Sequence, residues 1–486
     1  SKCITFKVPE EMGYATFWSD VYEAYQFGKD TDKENIIKRA CAYVDRELKR
    51  SDVPYVVLMD GMDHERIHEL APWVASRLSE IYGCPVVFEN MENLVEELSD
   101  YTSQMPVKRG ELNETAKMPS NHNMLITNTL SSRYDLKKEN DSCQTLLEKW
   151  MLPMMVVGEL NGFRVQQTYT DIAYKYLIKC HAHDSICGCS IDAVHKDMHY
   201  RFRQIKSIGN EVTNAVISHL TNTSDDEASD NRLLTIFNPL PYPRHETISV
   251  TIDFNRDFKS TFKEQAGNEI KNGFKLIDEK GNEIPYNLTN ISYNSFTERP
   301  GEFYRYEADL YTISFTAELS PMGMTQYQIV PYEKPIRYLD ELSTSDTSCE
   351  NEYIRLNINS DGTINILDKE TGKEYKKLLS YIDDGEIGDG WFHANPLNDR
   401  AVSSFGSSCV IEKVDDGPAA CTFRVTNYMK VPKKVIRGLH GNYRSDEMVE
   451  LKIASDITLS AANRWVDVKT SVDNTALDHR LKLKLP

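Results

Sequence analysis

Apolar residues recur at helical spacing in the first part of the chain. Between positions 31 and 50 they mark one face of an amphipathic helix, and Thr31 with Glu34 predicts a capping box at its start. A second helical pattern extends from Ile67 to Ile81, and Gly83 is placed to terminate it. Two surface helices with buried inner faces are therefore expected here.

Continuous apolar runs separate these helices. The runs at 54–59 and 85–88 predict buried strands, and a further short helix follows at 94–98. Strands that alternate with helices favour a parallel sheet, so we expect an α/β domain over residues 1–104. Ligands gather beyond the carboxyl ends of such strands, which is where the segment Asp60–His64 is predicted to lie.

Helical periodicity then dominates up to about residue 220. After a loop-like stretch, a first long pattern is ended or kinked by Pro153, a second covers 169–177 and a third covers 194–216. Three helices with short connections predict an antiparallel three-helix bundle domain over residues 105–220.

The apolar period changes to two after the polar, acidic segment 221–231, which we interpret as a linker. Runs such as 247–252 and 354–358, separated by turn signals such as Asp361-Gly362, are typical of antiparallel strands. We expect one or more β-sandwich domains over residues 232–486. The sequence lacks an initiator Met and stops in the middle of an alternating strand, so we expect a piece of a longer protein, truncated at its C-terminus within the β region.

Composition excludes several classes of protein. The chain of 486 residues has a formal net charge of −18, which argues against sequence-independent binding to nucleic acid. No apolar run approaches the roughly 20 residues of a membrane-spanning helix, so no membrane partner is expected. The ten cysteines are scattered, which favours a reducing compartment and a cytoplasmic location. The sequence leaves a homo-oligomer open.

The densest chemistry lies in the segment Cys180–Cys189, where two imidazoles, a carboxylate, a hydroxyl and three thiols surround Gly188. Either this segment binds a metal and a polar substrate, or its polar side chains only satisfy one another between two helices. His183 and Asp184 can face one ligand only at a helix end, because adjacent helical residues diverge by about 100°. A zinc cluster of neighbouring Cys and His residues is an alternative with unfavourable spacing.

Three further candidates are two carboxylates and a histidine. Asp63 is either a helix N-cap or a general acid, and Asp60 competes for the same role. A general acid for glycoside cleavage requires a pKa that is raised by burial or by a like charge. His195 forms a His-x-Asp pair with Asp197, but on a regular helix we expect this pair on a solvated face.

Five short segments occur in a distinctive order. They are Asp60-Gly61-Met62-Asp63-His64, Leu130-Ser131-Ser132-Arg133, His183-Asp184-Ser185-Ile186-Cys187-Gly188, Phe237-Asn238-Pro239-Leu240-Pro241 and Glu386-Ile387-Gly388-Asp389-Gly390. In this order they resemble the motifs of glycoside hydrolase family 38, the retaining α-mannosidases, and in particular its bacterial branch. The resemblance implies an α/β catalytic domain, a three-helix bundle and β-sandwich domains.

The resemblance also implies roles for individual residues. Asp63 would be the acid/base of a retaining hydrolysis that passes through a covalent glycosyl-enzyme intermediate. His183 would be a ligand of a divalent metal, usually zinc, that binds hydroxyl groups of the sugar. Asp184, Arg133 and Trp391 would contact the substrate, a mannose-containing oligosaccharide or other mannoside.

One departure from the family pattern limits these implications. Nothing before Asp63 matches the family's early His-x-Asp metal ligands or its nucleophilic Asp, so we expect this chain to be inactive alone and to retain zinc weakly or not at all. A close alternative is a hydrolase of mannosylglycerate or its 6-phospho form, which would need a basic cluster near Asp184. An alternative of another class is a non-catalytic carbohydrate-binding protein on a hydrolase scaffold.

Overall fold

The chain divides into two compact units, described here from a computed structural model. The described residues are 3–9, 12–109, 126–221, 232–254, 261–263, 270–298 and 305–485. Unit 1 comprises residues 1–126 and unit 2 comprises residues 127–486.

Helices make up all the regular structure of unit 1 and the first part of unit 2, within the described ranges. The α-helices are α1 (Thr16–Gln26), α2 (Lys33–Leu48), α3 (Ala71–Tyr82), α4 (Met91–Ser99), α5 (Tyr134–Thr145), α6 (Leu152–Leu160), α7 (Gln167–Cys180), α8 (His183–Cys187) and α9 (Asp192–Thr221). Short 3₁₀ turns cover Gly13–Ala15 and Thr127–Leu130, and a π-helical segment covers Leu146–Met151. None of the described helices is both long enough and apolar enough to cross a bilayer.

Helix α2 confirms the predicted amphipathic helix and corrects its cap. Its inner face is buried in the unit 1 core together with residues of α1 and α3. The N-cap is Asp32, whose carboxylate accepts a hydrogen bond from the backbone N–H of Glu34, so the predicted capping box at Thr31 is wrong. Gly83 terminates α3 in the left-handed conformation, as expected, and its N–H donates to the carbonyl oxygen of Ser79.

The predicted strands at 54–59 and 85–88 are wrong. Both segments are irregular, and Val87 and Phe88 are each 68% exposed. No strand is found within the described part of unit 1, so the parallel sheet is absent there. An apolar run predicts burial, whereas a strand also needs a neighbouring backbone to accept its hydrogen bonds, and here neither run has one.

The bundle of unit 2 has the three helices that the periodicity predicts. Helix α9 packs against α5, α6 and α7, and their inner faces form one apolar core. Pro153 neither ends nor breaks the first helix, because a π-helical segment precedes it and Pro153 occupies the first turn of α6. A proline lacks the N–H that would bond to the preceding turn, and the π-helical segment lies directly before the turn that contains Pro153.

Strands occupy the described residues from 232 onward. They are β1 (Arg232–Asn238), β2 (Arg244–Phe254), β3 (Thr261–Lys263), β4 (Ile270–Asn272), β5 (Phe274–Ile277), β6 (Tyr286–Glu298), β7 (Arg305–Leu319), β8 (Gly323–Pro331), β9 (Ser343–Ser345), β10 (Ser348–Glu350), β11 (Ile354–Ile358), β12 (Ile364–Asp368), β13 (Glu374–Leu378), β14 (Ser380–Gly385), β15 (Val402–Ser403), β16 (Ser408–Asp416), β17 (Ala420–Pro432), β18 (Val435–Gly438), β19 (Gly441–Arg444), β20 (Met448–Ser460), β21 (Val466–Asp473) and β22 (His479–Lys484). Every pairing between these strands is antiparallel. The predicted linker, apart from Thr221 at the end of α9, lies outside the described residues.

The strands bury two separate apolar cores. The first gathers side chains between Ile252 and Ile329, largely from β2, β5, β7 and β8. The second gathers side chains between Cys349 and Ala476. The sheet β16-β17-β20-β21 and the sheet β13-β12-β11-β10-β9 contribute to the second core. The period-two pattern therefore predicts the strand class correctly, including β2, β7 and β11.

Candidate functional site

The segment 181–190 folds into a tight polar turn between α7 and α9. Helix α7 ends at Cys180, and after two residues the five-residue helix α8 begins at His183. The backbone N–H groups of Cys189 and Ser190 both return to the carbonyl oxygen of Asp184, at 3.1 Å each. This hydrogen bonding presents the His183 and Asp184 side chains at a helix end, as the sequence predicts, and the His183 side chain is 93% exposed.

Gly188 lets this turn approach the start of α5. It adopts a φ of +84°, and a Cβ placed on it would lie 2.7 Å from the carbonyl oxygen of Ser132. The Lys137 ammonium group spans the same contact, donating to the carbonyl oxygens of Ser132 at 2.6 Å and Ile186 at 2.8 Å. Desolvation here lowers the pKa of Lys137. Gly188 and the partly buried Lys137 thus hold the turn in contact with the start of α5.

Arg133 lies beside Gly188 at this contact and is paired with Asp192. It adopts a left-handed φ of +47° at the N-cap of α5, and its Nη2 lies 2.5 Å from Oδ1 of Asp192 at the start of α9. Its side chain remains 41% exposed. The guanidinium group therefore keeps donors for a ligand, although part of its charge is balanced by Asp192.

A loop from the β region docks onto the start of the bundle. The side-chain amide of Asn128 donates to the carbonyl oxygens of Asp389 and Phe392, at 2.9 Å each, and the backbone N–H of Asn128 donates to the carbonyl oxygen of Trp391 at 3.1 Å. Ser132 adds a hydrogen bond from its hydroxyl to the carbonyl oxygen of Gly390. A Cβ placed on Gly390 would lie 3.7 Å from Cβ of Cys189.

We call this meeting point of residues 128–133, 183–190 and 386–394 the bundle–loop junction. It brings Arg133, His183, Asp184 and the Trp391 loop into one part of unit 2. Trp391 is 38% exposed, so its ring is available at the surface of the junction. The junction is thus a polar, partly open surface of unit 2.

Glu386 organises the docked loop electrostatically. Its carboxylate accepts hydrogen bonds from the backbone N–H groups of Gly388 and Ala394, and it lies 2.6 Å from Nδ1 of His393. Desolvation alone would raise the pKa of Glu386, but these hydrogen bonds together lower it. The charged form of Glu386 therefore helps to hold the loop.

His195 is buried, so its expected solvated position is wrong. It is 3% exposed, and neither ring nitrogen has a hydrogen-bond partner among the described residues. Desolvation, followed by the nearby Arg133 charge, lowers the pKa of His195. The helical spacing explains the error. His195 lies on the same face of α9 as Met198, Phe202 and Ile205, which belong to the bundle core.

The donors near His183 do not by themselves fit a zinc ion. Nε2 of His183 lies 3.6 Å from Oδ1 of Asp184. His181 is held by Asn140 at 2.8 Å, and Cys180 is buried in the bundle core. The described residues contain no group of three or more His, Cys, Asp or Glu side chains that could hold a metal. Zinc usually takes four ligands, or three and a water, so these residues by themselves do not complete a zinc site.

Asp63 lies in unit 1 and is not a helix N-cap. Helix α3 begins at Ala71, and Asp63 occupies an exposed turn in which His64 has a φ of +65°. The Tyr14 hydroxyl donates to its carboxylate at 2.7 Å, and this hydrogen bond raises the pKa of Tyr14. Desolvation raises the pKa of Asp60, the competing candidate.

Several residues of the junction were missed by local sequence patterns. Asn128 and Glu386 make the contacts that dock the loop, and Asp192 pairs with Arg133, yet none was predicted to do so. Glu386 stood in a recognised motif, whereas Asn128 had no signal beyond lying in a stretch rich in loop-forming residues.

Two family models match unit 2. Residues 125–220 match the alpha mannosidase middle domain, and residues 349–486 match the glycosyl hydrolases family 38 C-terminal domain. The first match contains the helix bundle with Arg133, His183 and Asp184. The second contains the loop with Trp391.

Relatives are similar over most of this chain. A protein named putative mannosylglycerate hydrolase from Halalkalibacterium halodurans is 24% identical over 459 residues, which are 89% of this chain and 51% of that protein. A crystal structure of an alpha-mannosidase from Enterococcus faecalis has a TM-score of 0.71 at 19% identity, covering 93% of this chain and 54% of that one. A second structure, of a glycosyl hydrolase family 38 protein from Enterococcus faecalis, has a TM-score of 0.68 at 20% identity and covers 92% of this chain and 54% of its own. The chain thus spans about half the length of these relatives.

Proposed function

Because the chain belongs to glycoside hydrolase family 38, we propose that it is part of a retaining α-mannosidase. The observation that carries the proposal is the bundle–loop junction, where Asn128 of one matched domain donates to the carbonyl oxygen of Phe392 of the other, and which includes His183 and Asp184. The similarity to alpha-mannosidase structures in fold agrees with it. The substrate class is a mannose-containing oligosaccharide or another mannoside.

Each residue has a role in this proposal. Asp63 protonates the leaving oxygen and then activates water, as the acid/base of a double displacement. His183 is one ligand of a divalent metal, with zinc the leading candidate, and this chain needs further ligands to complete that site. Asp184 and Arg133 bind sugar hydroxyls, and the exposed Trp391 ring covers the apolar face of the sugar.

A mannosylglycerate hydrolase is the second candidate, favoured by the name of the Halalkalibacterium halodurans relative. Its substrate would carry a carboxylate, which calls for cations at the junction. Lys137 is bound to two carbonyl oxygens and Arg133 is paired with Asp192. Since both cations have partners, a neutral mannoside remains the first candidate.

We also propose that the 486-residue chain is inactive alone. The sequence has no histidine before His64 and hence no His-x-Asp pair before Asp63. We propose a cytoplasmic location, which is supported by all ten cysteines being free thiols.

The test is a kinetic comparison of the purified chain with the product of the complete gene. Both are assayed against a panel of mannobioses and against mannosylglycerate. The proposal expects turnover of a mannobiose by the complete product and none by this chain. Turnover of mannosylglycerate alone would favour the second candidate. Saccharide binding without turnover by the complete product would indicate a non-catalytic carbohydrate-binding protein and overturn the enzyme assignment.

A further inference from the structure

A groove on the second β core lies among elements that carry none of the candidate catalytic residues. It has a volume of about 650 Å³, within the range of roughly 300–1,000 Å³ that is typical of small-molecule sites. The residues that matter most for its chemistry are Asn359, Asp361, Asn365, Lys377, Phe405 and Lys484. They come from the β11–β12 turn, β12, β13, the segment after β15 and the end of β22.

The groove is basic in a protein of net charge −18. Lys376, Lys377 and Lys484 line it, and Lys376 pairs with Glu374 at 2.9 Å. Lys377 and Lys484 have no carboxylate partner among the described residues. Asp361, the acidic residue of the lining, directs its carboxylate to the N–H and hydroxyl of Thr363. Two ammonium groups are therefore available to an anion.

A fixed pair of amides lies beside these lysines. Nδ2 of Asn359 donates to Oδ1 of Asn365, and Nδ2 of Asn365 donates back to Oδ1 of Asn359, both at 3.1 Å. Thr363 and the backbone N–H of Lys377 complete the network. These hydrogen bonds leave one side-chain N–H of Asn365 and one lone pair on Oδ1 of Asn359 unused. They offer one donor and one acceptor to the hydroxyl groups of a ligand.

The backbone around Lys377 is strained and held in place. Strand β13 contains a bulge against β12, since Ile364 pairs with Leu378 but Ile366 pairs with Tyr375. Lys377 and the buried Leu379 both adopt left-handed φ values, +55° and +66°. Such conformations are unfavourable for residues other than glycine and persist where the surroundings enforce them. Bulges commonly redirect a side chain at a functional site.

Phe405 supplies an aromatic face at the same groove. It is 45% exposed, and Nζ of Lys377 lies 5.9 Å from its ring centroid. An exposed ring beside fixed amides and unpaired ammonium groups combines a stacking surface, hydroxyl partners and anion partners. We infer that this groove binds a saccharide that carries a phosphate or carboxylate group, with its ring on Phe405 and its anionic group at Lys377 and Lys484.

The test is calorimetric titration of the intact 486-residue chain with mannose 6-phosphate, glucuronate, mannose and inorganic phosphate. The double variant Lys377→Gln/Lys484→Gln should lose at least tenfold in affinity for the two anionic sugars. The variant Lys377→Arg/Lys484→Arg, which keeps both charges, should retain most of it. Phe405→Ala should weaken binding of the anionic sugars without changing binding of inorganic phosphate. Lys430→Gln, which removes an exposed lysine outside the groove, is the matched control and should have no effect.

Three results would overturn the inference. The first is the absence of binding of either anionic sugar at millimolar concentration. The second is equal affinity in the glutamine double variant and in Lys430→Gln. The third is equal affinity for inorganic phosphate and mannose 6-phosphate, since a saccharide site must gain affinity from the sugar. Circular dichroism of each variant separates lost binding from lost folding.

Discussion

The side-chain amide of Asn128 lies 2.9 Å from the carbonyl oxygen of Phe392, although 264 residues separate them in the sequence. Asn128 is 7% exposed, so its side-chain donors are largely removed from water. A buried donor that loses its acceptor costs more than an exposed one, because no water replaces the partner. This relationship makes Asn128 one of the residues that hold the Trp391 loop in position.

Asn128→Ala should destabilise unit 2 and release the loop. The substitution leaves the carbonyl oxygens of Asp389 and Phe392 without this donor, at an expected cost of about 1–3 kcal/mol. Urea unfolding measures the loss of stability, and limited proteolysis within 386–394 reports the loop. Ser131→Ala removes one longer hydrogen bond, of 3.3 Å, at the same turn and is the control. Equal stability of the two variants would contradict the role of Asn128.

Gly188→Ala should be more damaging than an alanine at another left-handed glycine. Gly188 and Gly281 have nearly the same φ, +84° and +85°, but a Cβ meets the carbonyl oxygen of Ser132 only at Gly188 and finds open space at Gly281. The backbone conformation should cost about 1–2 kcal/mol in both variants, and the overlap should add about 1–3 kcal/mol at Gly188. Chemical denaturation of both variants gives the difference. A cost at Gly188 no larger than that at Gly281 would show that the turn and α5 can separate freely.

Periodicity and turn chemistry predict most of the elements because those signals are local. The buried face of α2, the left-handed Gly83 and the alternating strand β11 all follow from spacing over a few residues. The runs at 54–59 and 85–88 failed because strand formation depends on a pairing partner, which a local run does not specify.

The candidate site could be predicted only in part for the same reason. The exposed turn at His183 follows from a helix break at Cys180 that the sequence displays. The docking of the Trp391 loop depends on Asn128, for which no local pattern exists. The burial of His195 could have been predicted from its spacing, because it lies on the same helical face as Met198 and Phe202. Its polar side chain instead favoured an exposed position.

Arg444→Met should be among the most destabilising substitutions in the β region. Arg444 is 2% exposed, and it pairs with the fully buried Asp383, which also contacts His479. Removing the arginine leaves a buried charge without its main partner, at an expected cost of about 3–5 kcal/mol. Arg424→Met breaks the more exposed pair with Asp456 and should cost only about 0–1 kcal/mol. Similar unfolding midpoints for the two variants would refute the expected difference between the buried and the exposed ion pair.

Acidification should weaken the protein partly through Glu386. Because its folded pKa is depressed, the carboxylate contributes stability above its unfolded pKa of about 4.3, and this contribution is lost as pH falls towards the folded pKa. The stability difference between the unmodified chain and Glu386→Gln should therefore shrink between pH 6 and pH 3 (about the range spanning that transition). Glu352→Gln, which removes an exposed charge from the same unit, is the control. A difference that stays constant with pH would exclude Glu386 as a source of the acid sensitivity.

Asp63→Asn in the complete gene product should abolish most mannosidase turnover, if Asp63 is the acid/base that the family resemblance implies. Loss of a general acid/base typically costs about 10²–10⁴-fold in rate. Asp60→Asn is the decisive comparison, because desolvation raises the pKa of Asp60 and makes it the rival acid. Tyr14→Phe removes the hydrogen bond to the Asp63 carboxylate but keeps the carboxylate itself, and should leave turnover measurable. A large loss in Asp60→Asn together with near-normal rates in Asp63→Asn would transfer the acid/base role to Asp60.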